Sequence, residues 1–127
     1  MIKLCAFADE SGSSLQEQID ALKRNNIHYL ELRNVDGINV LDFTLDFAQS
    51  IKSELDKNGI EVFSIGSPIG KVDATINIDE YMSKVEHICK IAKIMNAKNI
   101  RMFSFYNAYD KEELVFDKLN KIKEIII

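Results

Sequence analysis

Short apolar runs alternate along this chain with stretches whose apolar residues recur at every third or fourth position. IKLCAFAD, IHYLEL, IEVFSI and NIRMFSF have the composition of strands, while SLQEQIDALKRNN, LDFAQSIKSELDKNG, IDEYMSKVEHICKIAKIMN and EELVFDKLNKIKEIII carry helical spacing. Four strand-helix units in succession predict an α/β fold, one domain over residues 1–127. Helices of that length between strands force parallel pairing through right-handed crossovers, so the simplest sheet order follows the chain. Sequential order makes a curling, barrel-type sheet, whereas a reversal makes a doubly wound, flavodoxin-like one. Against the second stands FADESGSS, which follows the first strand without a glycine-rich loop.

Helix starts are signalled where a capping side chain stands three residues before a carboxylate: Ser14 with Glu17, Asn77 with Glu80, and Asp110 with Glu113. In the third helix Ile78, Met82, Val85, Cys89, Ala92 and Met95 predict the stripe that lies on the sheet, with Met and Cys as core filling. The junctions RNNIHYLEL, KNGIEVFSI and NAKNIRMFSF resemble one another, each running from a helix end through Asn or Gly into a strand, as in a repeated unit.

Composition adds exclusions. With 46% hydrophobic and 28% charged residues, the chain can bury a core without disulfides or a structural metal. A net charge of −4 with Lys and Arg scattered along the sequence gives no footprint for nucleic acid. Cys5 and Cys89 form no CxxC pair and predict buried free thiols in a reducing compartment, the cytoplasm. MIKLCAFADE turns acidic too soon for a signal peptide, and no apolar run is long enough to predict a membrane span.

In a parallel α/β sheet the working face lies at the carboxyl ends of the strands. Polar residues collect there in four groups: Asp9 and Glu10; Glu31, Arg33, Asn34 and Asp36; Ser64, Ser67 and Lys71; and Arg101, Ser104, Tyr106 and Asn107. Alternation puts Tyr29, Glu31 and Arg33 on one face and His28, Leu30 and Leu32 on the other. Glu31 and Arg101 therefore face one interior, where they pair as structure or hold a polar substrate. GSPIGKV lacks the four-residue spacing and the Ser/Thr after lysine of a Walker-type loop, so a nucleotide site is excluded. Pro68 and Gly70 predict a turn, and Ser67 and Lys71 leave open a small anionic ligand such as a sugar phosphate. His28 and His87 have no zinc-ligand spacing, and no Ser-His or Cys-His nucleophile pair can be assembled.

Taken in order, CAFADE, YLELRNVDGINV, IEVFSIGSPIGK and NIRMFSFYN resemble the amino-terminal half of the xylose-isomerase-like TIM barrels, the sugar phosphate isomerase/epimerase family. The resemblance covers essentially the whole chain and implies half of a (β/α)8 barrel. It places Glu31, Arg33, Ser67, Lys71 and Arg101 around the substrate end. A full barrel has eight strands, so the chain is expected to be a truncated half barrel, inactive alone. The family's metal ligands belong to the later strands, so no catalytic residue or metal ligand is assigned. A divalent metal of the manganese or magnesium type is implied only for a completed barrel.

Two open sheet edges and an uncovered interior face predict a homodimer, or a partner chain that supplies the missing strands. Two functions follow as expectations: an isomerase or epimerase half barrel acting on a sugar or sugar phosphate once completed, or a non-catalytic module that binds a small anion and self-associates.

Overall fold

The computed structural model describes residues 1–126. Ile127, the last residue of the predicted fourth helix, lies outside the described residues. A mixed α/β architecture is built on a parallel sheet of β1 (Cys5–Ala6), β2 (Tyr29–Leu32), β5 (Glu61–Ile65) and β6 (Asn99–Ile100), hydrogen-bonded in the order β1-β2-β5-β6. The helices are α1 (Leu15–Arg24), α2 (Leu45–Lys57), α3 (Ile78–Met95) and α4 (Glu112–Ile126). None of them, among the described residues, is long and apolar enough to cross a membrane.

Between β2 and α2 stands a small antiparallel hairpin, β3 (Asn34–Val35) with β4 (Ile38–Asn39), which the helical and strand periodicities do not announce. Its turn is Asp36-Gly37, both with positive φ (54° and 76°), the combination that a two-residue hairpin of matching twist requires. The hairpin is tied to the start of α1. Asp36 N donates to Ser13 O at 2.7 Å, and the buried Gln18 amide donates to Asn34 O at 2.9 Å.

Local signals account for some helix starts and not others. Ser14 and Glu17 form a complete capping box on α1. At α3 the cap is Asn77, but it accepts from Asp79 N rather than pairing with Glu80. The expected Asp110 cap differs more: α4 begins at Glu112, and Asp110 has φ 57°, left-handed, where an N-cap is extended.

One hydrophobic core joins the helices to one side of the sheet. Leu30, Leu32, Val62 and Ile65 from the strands meet Ile19 and Leu22 of α1, Ile51 and Leu55 of α2, Val85 and Ile88 of α3, and Ile122 of α4. The α3 stripe is rotated from the predicted one: Tyr81, Ile88 and Ile91 are buried, while Met82 and Cys89 are half-buried at its edge. Helix α3 packs against both α2 and α4, so its apolar arc is wider than a single line of contact with the sheet.

The opposite side of the sheet is open. Along β5 exposure alternates, with Glu61 and Phe63 exposed and Val62 and Ser64 buried, and along β2 Tyr29 and Glu31 are half-exposed between buried leucines. Cys5 lies on this open side and is exposed, so the expectation of two buried thiols holds for neither: Cys89 is half-buried and both are free. Alternation with Ala6, which packs against the core, sends the Cys5 thiol away from the helices.

Candidate functional site

Beyond Ile100 the chain leaves the sheet. The rest of the predicted strand NIRMFSF runs instead along the end of β5 and the loop after it, bonded through the backbone: Arg101 N to Ile65 O at 2.9 Å, Phe103 N to Ile69 O at 2.8 Å, and Tyr106 N to Val72 O at 2.8 Å. Ala74 N returns a bond to Tyr106 O at 2.8 Å. The same loop makes the predicted turn. Lys71 N donates to Pro68 O at 2.9 Å, and Gly70 holds φ +87° at the position where such a turn needs a left-handed residue. At the far end of this clasp the Asn107 amide donates to Asp73, whose carboxyl is held down at about 2, chiefly by that bond and by the Thr75 N–H and hydroxyl.

Two phenylalanines organise the cations at the carboxyl ends of the strands. Arg33 lies 4.6 Å from the centre of the Phe7 ring, Arg101 lies 5.1 Å from both Phe7 and Phe103, and the Lys71 ammonium lies 4.7 Å from Phe103. The result is a ladder in the sequence Arg33, Phe7, Arg101, Phe103, Lys71. Each rung is worth about 0.5–1 kcal/mol where water reaches it and more where it does not.

The three cations differ in their carboxylates. Arg33 is closed by Asp9 through two bonds, Nε to Oδ2 at 2.8 Å and Nη2 to Oδ1 at 2.9 Å, with Glu10 at 3.5 Å. Asn34 donates to the same Asp9 at 2.8 Å. Burial works against the Asp9 charge, but the bonds from Arg33 and Asn34 and the Arg33 charge outweigh it and hold the carboxyl below its usual range. Arg101 reaches Glu31 only at 3.6 Å through Nη1 and donates through Nη2 to Gly66 O at 3.2 Å. Both Glu31 Oε1 and Arg101 Nε are buried atoms without a hydrogen-bond partner. Lys71 is exposed and forms no ion pair among the described residues.

Of the five residues proposed from sequence, Glu31, Arg33, Lys71 and Arg101 are thus brought to one rim. A register shift between Leu30 and Glu31 sets Glu31 opposite Ser64. Ser67 is placed beneath the rim, fully buried, its hydroxyl spent on Arg101 O and Ile69 N. His87 is a structural contact between elements, 2.7 Å from Phe43 O. Phe7 and Phe103, which carry the cations, are not announced by charge or polarity; their two-residue spacing from Cys5 and Arg101 in CAF and RMF is the signal that the sequence offers.

Chemically the rim offers charged donors and aromatic faces. Asp9 is committed to Arg33 while Glu31 makes only a long contact to Arg101, and among the described residues no group of three His, Cys, Asp or Glu side chains is placed to hold a metal ion. No protein-family model matches the chain, and no curated protein matches it significantly.

Proposed function

We propose that this chain is half of a (β/α)8 barrel of the xylose-isomerase-like sugar phosphate isomerase/epimerase type, and that its rim holds a small sugar or sugar phosphate. The observation that carries the binding role is the pair Arg101 and Lys71 on either side of the ladder's last ring, one with only a long contact to a carboxylate and the other with none. Both cations stand where parallel α/β sheets bind ligands. In support of the half barrel are a parallel sheet with helices on one side and an opposite side left open, since parallel sheets are ordinarily covered on both faces. In this reading the open side and the free edges of β1 and β6 are completed by a second copy or by a chain that supplies further strands. On the same reading a divalent ion of the manganese or magnesium type would be held by the other half.

A non-catalytic anion-binding module is the second reading. The two bonds that tie the Asp9 carboxylate to Arg33, and so take it out of proton transfer, favour it, and the two differ in turnover, not in the cations used. Titration calorimetry with fructose 6-phosphate, fructose and inorganic phosphate tests the shared claim. Binding of the two phosphates, lost in Arg101→Ala, is expected; heat from neither phosphate sinks both readings. Turnover on adding the missing strands with manganese separates the enzyme from the module.

A further inference from the structure

We infer that Ser67 and Tyr81 are positioning residues for Arg101, fixing its guanidinium through the turn that joins them; the consequence for ligands rests on the anion-binding reading above. Ser67 has no solvent exposure, and its hydroxyl donates to Arg101 O at 2.5 Å while accepting from Ile69 N at 3.2 Å. Tyr81, buried in the first turns of α3, accepts from Gly70 N at 3.1 Å through its phenol oxygen. Between them Gly70 lies so near the 101–103 segment that a Cβ there would meet Phe103 O at 1.8 Å. The turn is therefore held on one side by helix α3 and on the other by the backbone that carries Arg101 and Phe103.

Arg101 is constrained at both ends in consequence. Its carbonyl is fixed by Ser67, its amide by Ile65, one amino group by Gly66 O, and its plane by the rings of Phe7 and Phe103. What stays unspent is Nε, which has neither partner nor water contact. Sealed in this way, Nε reports how firmly the guanidinium is held, while the partly exposed remainder of the side chain meets an oxyanion already oriented, which is how fixed donors gain affinity. Neither hydroxyl touches the ligand in this arrangement; each acts only through the backbone.

The Arg101 Nε–H signal in nitrogen-proton NMR spectra reads this directly, without a ligand. In the wild type it should be sharp and exchange slowly with water. Ser67→Ala and Tyr81→Phe, the second removing a single hydroxyl, should each speed that exchange about tenfold while circular dichroism stays unchanged, and Ser67→Thr should restore it. Titration of inorganic phosphate should then show affinity weakened about tenfold in Ser67→Ala. Unchanged Nε exchange in both variants overturns the positioning role, whatever phosphate does. A wild type that binds no phosphate, with the exchange pattern as expected, removes the anion-binding reading and leaves the positioning of Arg101 standing.

Discussion

Arg33 and Arg101 share the Phe7 ring, yet Asp9 closes around the first with bonds of 2.8 and 2.9 Å while Glu31 stands 3.6 Å from the second. The β1–β2 side of the rim is held by side-chain charge. The β5–β6 side is held by backbone bonds between two loops, with Gly70 and buried hydroxyls at the crossing. An arginine already neutralised by a two-pronged carboxylate is part of the frame, whereas one steadied by carbonyls and rings keeps its charge for something else. In the proposed reading the rim thus has a structural half around Arg33 and a receptive half around Arg101.

Breaking the clasp should have the largest effect. Gly70→Ala puts a Cβ against the Phe103 carbonyl at a left-handed φ, so the backbone has to move, and a loss of about 3 kcal/mol or more is expected in urea unfolding. A loss below about 1 kcal/mol would show the clasp to be compliant.

Next comes the charged side. Asp9→Ala strands Arg33 and Asn34 and should cost about 1–3 kcal/mol, whereas Arg101→Met, which keeps much of the packing, should cost under about 1 kcal/mol because its ion pair is long and partly exposed. Equal losses would empty the comparison of energetic content. The Asp9 contribution also has a pH signature. Its folded pKa lies below the unfolded value, so the stability it adds is fully present above about pH 4 and fades as pH falls through the folded value. The advantage of the wild type over Asp9→Ala should accordingly shrink on acidification, as followed by unfolding at stepwise lower pH; an advantage that grows would contradict the pairing.

The smallest effect on stability is expected at Lys71. Lys71→Ala should change unfolding free energy by about 0.5 kcal/mol, the lower end for a rung that water reaches, while the affinity for inorganic phosphate falls about fivefold. A change in stability without a change in binding would reassign Lys71 to the frame.

How much of this was legible in the sequence follows from the range of the forces involved. The Ser14–Glu17 box and the burial of Leu30 and Leu32 depend on neighbours a few residues away, and periodicity reports them. The α3 stripe was off by part of a turn because Ile78, Val85 and Met95 belong equally to the predicted line and to the observed one, and only the neighbours α2 and α4 decide between them. The Asp36-Gly37 hairpin was signalled by its dipeptide but hidden inside a stretch read for its charges. NIRMFSF reads as strand throughout, since nothing local reveals that after Arg101 its backbone partners lie in the loop following β5. Alternation and loop position put Glu31, Arg33, Lys71 and Arg101 among the polar clusters at the strand ends, and the family resemblance singles them out together with Ser67. The burial of Ser67 was not legible, because it depends on Arg101 thirty-four positions further along.

Cys5 turns the open side of the sheet into something that can be watched. Its thiol is exposed, opposite Tyr29 in the ladder, while Cys89 sits half-buried on the helical surface. Although the residue is exposed, partial desolvation by its neighbours and then the nearby Glu31 charge raise the Cys5 pKa, so alkylation there runs slowly at neutral pH and quickens in base. Any strand or subunit that comes to lie over that side would shield the first sulfur and spare the second, making the ratio of their labelling rates an internal gauge of occupancy.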